Sequence, residues 1–433
     1  MNSRPARELI ASINGVEVGV LQDEQNVWSF EYNSDWCRTA AGYDLAPNLP
    51  RTAGKIVDGG TTRPVQWFFD NLLPEEGARD LLAREAAITG SDSFGLLSYY
   101  GKESAGSITL LNRGEVSEDA GYVPLSDAEL HERIAKLPQQ SLAAGAPKRM
   151  SNAGAQHKLA VCVRDGELFH PRGNLPSTHL LKPDHPDRDN WPSTVSNEYF
   201  VMNLAAALGL PVPPVHIRYV PDPVYLIDRF DREISGDETR RLHVIDACQL
   251  LGLDRVFKYQ QSSVATLVSC LERCNRPALA RTQLLRWVIF NVLTGNADAH
   301  LKNLSFRVDA DGIELAPFYD LVSTECYRAG PESQPRWPAR DLSLRVGNAN
   351  TFGTVTPADV LAFADELGVN RRAARRALGE MTEQIGPAAD TLLTEFEAKE
   401  LPVEVRAGEL RVLRKIRYVA IRDMVDRLSR TAP

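Results

Sequence analysis

The chain has 433 residues, and 49 Lys and Arg against 57 Asp and Glu give a formal net charge of −8 at pH 7. Hydrophobic residues make up 43% of the sequence and charged residues 24%, which excludes a disordered chain, a collagen-like chain and a highly basic nucleic-acid coat protein. Domains have about 100–200 residues each, so the length predicts two or three of them.

The first part of the chain predicts a sheet. Leu9–Ile13 and Val16–Leu21 alternate between apolar and polar residues around Asn14 and Gly15. Asn-Gly is the strongest short signal for a hairpin, because both central positions of a type I′ turn need positive φ. A third strand is expected at Trp28–Tyr32, with its three aromatic side chains on one face.

The next segments alternate between the two kinds of element. A helical pattern occupies Trp67–Ala87, strand character returns at Ser107–Leu111, and Ser126–Lys136 favours a helix. The small and polar residues of Gln139–Pro147 are typical of a linker. The strands expected in the middle third are His157–Val163, Thr178–Lys182, Val215–Val220 and Val224–Arg229, and the helix is Asn197–Leu208.

From about Leu242 the pattern becomes mostly helical. The helices expected there are Val264–Cys274, Ala278–Leu293, Pro357–Leu367, Arg371–Ile385 and Gly408–Leu428. A β-containing first half joined to a helical second half is the layout of a bilobal enzyme.

Thr294–Ser305 (TGNADAHLKNLS) is the segment richest in groups able to do chemistry. It follows a strongly apolar helix and contains Asp298, His300, Lys302 and Asn303. In phosphoryl transfer one carboxylate accepts or orients the hydroxyl proton, and a nearby amide can hold a metal ion. The Asp-x4-Asn spacing lets both side chains turn to one pocket.

Three further segments supply the remaining parts of a phosphotransfer site. Leu315–Ser323 is expected to be a short apolar strand with the single carboxylate Asp320, and Mg²⁺ uses one or two protein carboxylates beside nucleotide phosphates. Lys182 ends an apolar strand, where an ammonium can bridge phosphates. The small residues of Ser151–Lys158 (SNAGAQHK) let backbone amides approach phosphates closely. These parts occur in the order that protein kinases use.

The chain resembles the HipA-type serine/threonine kinase toxins of bacterial toxin–antitoxin modules over roughly residues 8–330. The stretches that carry the resemblance are FFDNLLP (68–74), SAGSITLL (104–111), SNAGAQHK (151–158), STHLLK (177–182), NEYFVMNLAAALGL (197–210), IDRFDR (227–232), DACQLLG (246–252), NADAHLKN (296–303) and PFYDLVS (317–323).

The resemblance implies an α+β, protein-kinase-like bilobal fold. Residues 1–112 would form an extra strand-rich subdomain. Residues 145–230 would form the kinase N-lobe with its phosphate loop, nucleotide lysine and hinge, and residues 231–433 an all-helical C-lobe.

Carried over by position, the resemblance makes Asp298 the catalytic base, Asn303 and Asp320 the Mg²⁺ ligands, and Lys182 the nucleotide lysine. Ser151 matches the serine whose autophosphorylation switches kinases of this family off. The residues expected at ATP are Asn152, Ala153, Gly154, Ala155, Gln156, His157, Lys158, Lys182, the hinge residues Asp228, Arg229 and Phe230, and His300, Lys302 and Tyr319.

The activity implied is that of an ATP- and Mg²⁺-dependent serine/threonine protein kinase. Its substrate would be an aminoacyl-tRNA synthetase, such as glutamyl-tRNA synthetase, whose phosphorylation halts translation and growth and leads to persistence. The partners would be a HipB-like helix-turn-helix antitoxin, expected as a dimer, and operator DNA reached through that antitoxin.

Two other functions fit the same residues. A small-molecule phosphotransferase also uses Asp-x4-Asn followed by an aspartate, although it would not need the strand-rich N-terminal region. A catalytically idle corepressor partner of a DNA-binding antitoxin would not need all four catalytic groups.

The chain is expected to be cytoplasmic, without membrane contact. Its apolar runs fall short of the roughly 18 residues that a membrane span needs, and the first residues do not match a secretory signal. Six cysteines are too few for a disulfide scaffold, and Cys270 and Cys274 are expected to be buried thiols. Residues 406–430 hold eight basic and three acidic residues (8 − 3 = +5), a patch that would face DNA through the antitoxin or form the solvated side of an amphipathic helix.

Overall fold

The computed structural model describes residues 6–115, 119–151, 153–236, 238–327, 337–400 and 403–429. The N-terminal part is an antiparallel sheet of five strands in the order β4-β3-β2-β1-β5. Asn14 and Gly15 have φ of 49° and 83° between the first two strands, which confirms the predicted hairpin. The strands are β1 Arg7–Ile13, β2 Val16–Glu24, β3 Val27–Tyr32, β4 Lys55–Val57 and β5 Ile108–Asn112.

Four helices accompany this sheet among the described residues of the N-terminal part. The aromatic side chains of Trp28, Phe30 and Tyr32 are all buried beneath them, as expected for one face of β3. The helical pattern around residues 67–87 corresponds to two helices, separated by a turn at 71–75 that reaches the candidate site. The helices are α1 Ser34–Arg38, α2 Pro64–Asp70, α3 Glu76–Glu85 and α4 Ser93–Tyr100.

A second antiparallel sheet has six strands in the order β10-β11-β9-β7-β8-β6. One face carries a small apolar cluster that includes Leu181 and Leu226, covered by Leu130 and Ile134 of the helix α5. Side chains of successive residues point to opposite faces, so Lys182 and Tyr225 lie on the other face, toward the helix α6. The elements are β6 Gly121–Pro124, α5 Asp127–Ala135, β7 Leu159–Arg164, β8 Glu167–Arg172, β9 His179–Pro183, α6 Thr194–Ala207, β10 Val215–Tyr219 and β11 Pro223–Asp228.

The remaining part of the chain is mainly helical and contains most of the large apolar core. The helices are α7 Ala247–Leu251, α8 Val264–Leu271, α9 Pro277–Thr294, α10 Pro357–Leu367, α11 Arg371–Glu397, α12 Val403–Lys415 and α13 Arg422–Leu428, with a π-helix at Ile416–Ile421. Short 3₁₀ turns lie at Arg51–Ala53, Arg255–Phe257, Leu301–Asn303 and Phe352–Thr354.

The expectation of an all-helical second lobe is wrong in one respect, since three small sheets lie among its described residues. One of them pairs β14 with β15, which is distant in sequence, so the pattern of either segment alone does not reveal the pairing. The seven strands are β12 Arg232–Ser235, β13 Glu238–Arg241, β14 Val244–Asp246, β15 Ser305–Asp309, β16 Gly312–Leu315, β17 Asp341–Val346 and β18 Ala349–Thr351.

The C-terminal basic segment buries its apolar face. Leu413, Ile416 and Met424 are buried there. The guanidinium groups of Arg414, Arg417 and Arg427 form ion pairs with Glu397, Asp390 and Asp423. Cys270 and Cys274 are buried free thiols, as expected. Among the described residues, no helix combines the length and apolarity that crossing a bilayer requires.

Candidate active site

A cavity of about 1110 Å³ lies between the six-stranded sheet and the helical lobe. It brings together nearly all the site residues predicted from the sequence. They are Ala153, Gly154, Ala155, Gln156, His157, Lys158, Lys182, Asp228, Arg229, Phe230, Asp298, His300, Lys302, Asn303, Tyr319 and Asp320. Ser151 is buried away from the lining, and Asn152 lies outside the described residues.

Lys182 is the centre of the cavity's charge arrangement. Its Nζ donates to Oε1 of Glu198 at 2.7 Å and to Oδ1 of Asp320 at 2.8 Å. Lys182 lies on β9 and Glu198 is the fifth residue of α6, so the pair joins the sheet to its neighbouring helix. Protein kinases use such a lysine–glutamate pair to place the lysine against phosphates.

The charges in the cavity shift each other's protonation. Burial alone would lower the pKa of Lys182, but Asp320 and Glu198 raise it above its usual value. Burial opposes the negative charge of Asp320, yet Lys182 and Lys158 lower its pKa to about 2. Burial, together with Lys182, lowers the pKa of Lys158 to about 8. Asp320 is therefore a carboxylate at neutral pH, while Lys158 is close to its titration point.

Asp320 does not lie on a strand, contrary to the expectation for residues 315–323. β16 ends at Leu315, and Asp320 has a left-handed φ of 57°. Such a conformation costs a non-glycine residue on the order of 1 kcal/mol and is often found at functional sites. The preceding Tyr319 holds the turn, because its ring stacks on Phe230 at 5.4 Å and its hydroxyl donates to the carbonyl of Lys302 at 2.7 Å.

The Asp298 segment is a tight loop that follows α9. The N–H of Asp298 donates to Oδ1 of Asn296 at 2.9 Å, and the amide of Asn296 donates to Asn291 on the helix. Nδ2 of Asn303 donates to the carbonyl of Asp298 at 2.9 Å, which leaves the amide oxygen of Asn303 for a cation. The hydroxyl of Tyr259 donates to Oδ1 of Asp298 at 2.5 Å.

His300 lies behind the Asp298 carboxylate. Its Nε2 is 4.0 Å from Oδ1 of Asp298, and its ring packs edge-on against Tyr259 at 4.9 Å. Burial lowers the pKa of His300. A neutral imidazole in this position suits an orienting role better than a charged one.

The loop at residues 151–158 lies against the N-terminal part of the chain. Gly154 has a φ of 101° and forms a β-bridge with Pro74. The positive φ favours glycine at this position, and a Cβ there would lie 2.7 Å from Nζ of Lys158, so the lysine side chain would have to shift. Nζ of Lys158 donates to the carbonyl of Ala153, which closes the loop around the ammonium.

Ser151 is fully buried at the start of this loop. Its N–H donates to the carbonyl of Glu103 at 2.8 Å, and its hydroxyl donates to the carbonyl of Leu72 at 3.2 Å. Modification of Ser151 therefore requires the start of the loop to leave this contact.

Lys302 links the N-terminal part to the Asp298 segment. Its buried Nζ donates at 2.7 Å to both Oδ2 of Asp246 and Oδ1 of Asn71, and lies 3.5 Å from Glu75. Burial opposes the charge, but Asp246 and Glu75 raise the pKa of Lys302. The ammonium is thus already engaged by protein groups.

The three residues expected to form the hinge point in different directions. The guanidinium of Arg229 binds Asp231 through both oxygens, at 2.9 and 2.7 Å, within a buried cluster. The carboxylate of Asp228 contacts His179 and His216. Phe230 packs on Tyr319, so the backbone of Asp228 and Arg229 and the ring of Phe230 are what this segment offers to a base.

The donor atoms around Asp320 fit a magnesium ion. The carboxylate of Asp320 and the amide oxygen of Asn303 are both hard oxygen ligands, and the remaining positions of Mg²⁺ are commonly filled by phosphate oxygens and water. Lys182 donates to Oδ1 of Asp320, and the carboxylate retains further lone pairs that would bind the ion.

Sequence reasoning did not single out Glu198, Tyr259 and Asn71. The signal for Glu198 was an isolated acidic residue near the start of an apolar helix that follows a strand lysine. Tyr259 and Asn71 lie in turns remote in sequence from the residues they bind, and their local sequence does not predict those contacts.

Comparisons with known proteins agree with the motifs. The HipA-like C-terminal domain model matches residues 150–389, which extends beyond the range of the motifs, and the HipA N-terminal domain model matches residues 9–111. The chain is 34% identical over 385 residues to the Sinorhizobium fredii protein Y4mE, covering 86% of this chain and 88% of that protein.

A second relative is the serine/threonine-protein kinase toxin HipA of Shewanella oneidensis, 30% identical over 369 residues, with 80% of this chain and 79% of that protein covered. A solved structure of HipA, HipB and operator DNA from the same organism matches with a TM-score of 0.77 and 26% identity. That match covers 96% of this chain and 99% of the solved chain.

Proposed function

The chain belongs to the HipA family of serine/threonine kinase toxins, and on this premise we propose that it transfers the γ-phosphate of ATP to a protein hydroxyl. The observation that carries the proposal is the contact of Lys182 with both Glu198 and Asp320 in the cavity that also holds Asp298 and Asn303. These are the groups needed for phosphoryl transfer, and they converge on one space.

In the proposed reaction, Asp298 accepts the proton of the acceptor hydroxyl, whose oxygen forms the new bond to phosphorus as the bond to the β-phosphate oxygen breaks. Lys182 and Lys158 neutralise phosphate charge. Asn303 and Asp320 would hold Mg²⁺, which supplies further charge neutralisation at the phosphates when bound. The backbone of residues 153–158 would cover the phosphates.

We further propose that the acceptor belongs to an aminoacyl-tRNA synthetase, with glutamyl-tRNA synthetase as the first to test, and that its phosphorylation halts growth and supports persistence. Membership of a family of protein kinases supports a protein, rather than a small molecule, as the phosphate acceptor. So does the N-terminal part of the chain, which contributes Asn71 and Glu75 to one side of the cavity.

A HipB-like helix-turn-helix antitoxin, as a dimer, is the proposed partner, with operator DNA reached through it. The solved relative is described as a HipA, HipB and operator DNA complex, and the likeness extends over 96% of this chain. The basic C-terminal segment is a candidate for the side that faces DNA.

Ser151 is the proposed autophosphorylation site. A phosphate adds nearly two negative charges and cannot be accommodated where the hydroxyl now contacts the carbonyl of Leu72. Phosphorylation would therefore keep the loop out of its place against the N-terminal part and weaken nucleotide binding.

The test is transfer of labelled phosphate from ATP to lysate protein and purified glutamyl-tRNA synthetase, with sugars and aminoglycosides as alternative acceptors. Asp298→Ala and Asp320→Ala are expected to abolish transfer and growth inhibition while retaining the melting temperature. Asp365→Ala, which changes an exposed acid on α10, is the control and should transfer normally.

Full transfer by either cavity variant would contradict the assignment. Labelling of a small molecule in place of protein would favour the phosphotransferase alternative. Calorimetric ATP binding without any transfer, including to Ser151, would favour the idle corepressor.

A further inference from the structure

A cluster of two histidines and one aspartate lies on the face of the six-stranded sheet opposite Lys182. Nε2 of His179 is 3.0 Å from Oδ1 of Asp228, and Nε2 of His216 is 3.2 Å from the same oxygen. The three candidate ligand atoms all lie within 4.8 Å of one another. We propose that this cluster binds a divalent transition-metal ion, with Zn²⁺ as the ion of best fit.

The three ligands come from three adjacent strands. Asp228 at the end of β11 pairs with His179 on β9, and Leu226 on β11 pairs with His216 on β10. Because side chains two residues apart along a strand share a face, all three ligands lie on one face of the sheet. Their backbone spacing is thus set by strand pairing and does not depend on a loop.

The distances suit a small tetrahedral ion. Zn–N and Zn–O bonds of about 2.0–2.1 Å place tetrahedral ligand atoms about 3.3 Å apart. The separations of the two Nε2 atoms from Oδ1 of Asp228, 3.0 and 3.2 Å, are already close to that value. The side chain of His216 is 58% exposed, so its ring is free to move and adjust the separation between the two histidine nitrogens.

The chemistry of the ligands discriminates against Mg²⁺. Mg²⁺ prefers oxygen ligands alone, whereas two imidazoles and one carboxylate are typical of Zn²⁺ and its neighbours among the transition metals. Three protein ligands leave a coordination position for water. This cluster and the Asn303–Asp320 pair would therefore select different ions.

Thr178 provides the support that a histidine ligand needs. Its hydroxyl lies 2.7 Å from Nδ1 of His179 and already accepts from the N–H of Val163 at 3.2 Å. A metal-bound histidine donates its other ring N–H to such an acceptor, which presents Nε2 to the ion. Burial opposes the negative charge of Asp228, but the two histidines lower its pKa, so Asp228 is an anionic ligand at neutral pH.

The site's position indicates what a bound ion would do. It would join β9, β10 and β11 at the end of the sheet where β11 leads into residues 228–230, on the face turned away from the phosphates. We expect it to stabilise the folded chain by linkage and to take no part in phosphate transfer. The proposal does not rest on the kinase assignment.

The experiment uses the full-length protein after removal of metals by a chelator. Zn²⁺ is titrated by calorimetry and by competition with a chromogenic chelator. Wild type is expected to bind one equivalent and to melt at a higher temperature with Zn²⁺. His216→Ala and His179→Ala are expected to weaken binding about tenfold or more. His131→Ala, which removes an exposed histidine on α5, is the matched control and should bind as wild type does.

Absorption spectra with Co²⁺ in place of Zn²⁺ provide a second measurement, which also tests whether a cysteine thiolate is a ligand of the ion. Ligand-field absorption without a thiolate charge-transfer band, lost in His216→Ala, is the expected result. Absence of a stoichiometric site, affinity unchanged in both histidine variants, or a thiolate band would each overturn the proposal. An unchanged melting temperature of metal-free His216→Ala checks that the variant is folded.

Discussion

Tyr259 is a positioning residue for Asp298. Burial and the neighbouring carboxylate raise the pKa of Tyr259, so its phenol remains a protonated donor to Oδ1 of Asp298. Tyr259→Phe removes this hydrogen bond and lets the carboxylate rotate. We expect kcat to fall about tenfold, equivalent to about 1.4 kcal/mol, with little change in the KM for ATP.

Tyr418→Phe is the matched control, because Tyr418 is as exposed as Tyr259 (45% each) and its hydroxyl also lies near a carboxylate, that of Asp390. Steady-state kinetics with the two variants measure kcat and the KM for ATP of each. A rise in KM for ATP without a fall in kcat would contradict a role at Asp298.

The lowered pKa of Lys158 predicts that nucleotide binding depends on pH. Its pKa is lowered to about 8, so its ammonium is largely present below that pH and is lost above it. Affinity for a non-hydrolysable ATP analogue is therefore expected to fall as the pH rises through about 8. Lys158→Arg keeps its charge over that range and should flatten the curve. The same fall in both proteins, measured by calorimetry from pH 7 to 9, would assign the effect to another group.

At the scale of elements, the turn between α2 and α3 connects the N-terminal part to the Asp298 segment. Asn71 in this turn accepts from Lys302 and donates to the carbonyl of Leu253 at 3.1 Å. Asn71→Ala leaves both groups short of a partner in a buried place. We expect a loss of about 1–3 kcal/mol in the free energy of unfolding and a lower kcat.

Urea unfolding and kinetics test this, with Asn112→Ala as control. Asn112 is an exposed asparagine at the end of β5, in the same part of the chain. Equal effects of the two substitutions would show that the turn does not support the Asp298 segment.

The elements also show what local sequence can predict. The β1–β2 hairpin, β9, β11 and α10 follow from alternation, turn residues and caps within a few positions. β6 and β8 have no such pattern, because polar residues and a proline interrupt them, and they exist through pairing with β7 and with each other. α11 runs through Gly386 and Pro387, where local rules end a helix, because buried residues on both sides continue its apolar face.

The same limit applies to the candidate site. Asp298, Lys182 and Asp320 could be identified by the order of motifs along the chain. The partners Glu198 and Tyr259 could not, because each contact depends on how elements pack within one lobe, α6 on the sheet and the turn at Tyr259 on the Asp298 loop. The outward orientation of the Asp228 side chain follows from strand register, which the sequence alone does not specify.

At the scale of the whole molecule, Glu103 joins the parts of the chain. Its carboxylate is fully buried and accepts from a set of four basic residues and Ser177. The basic residues are Lys148 and Arg241 at 2.7 Å, Arg232 at 2.8 Å and Arg229 at 3.5 Å. Glu103 belongs to the N-terminal part, Lys148 to the segment before the loop, and the arginines to the region where β11 leads into the second lobe. Removing this one anion would leave several buried cations with too few partners.

We therefore expect Glu103→Gln, which keeps the shape of the side chain, to lower the free energy of unfolding by about 3–5 kcal/mol.

Burial opposes the charge of Glu103, but its basic partners hold its pKa well below the usual range. A depressed pKa contributes stability that is present above the ordinary glutamate pKa of about 4.3 and is lost as the pH falls below it. The stability of the wild type should thus fall more steeply with acid than that of Glu103→Gln, when urea midpoints are compared at pH values above about 4.3 and at several values below it. Asp365→Asn, at an exposed ion pair with Arg371, should follow the wild-type curve. Parallel acid curves for wild type and Glu103→Gln would show that the buried carboxylate is not what holds the parts together.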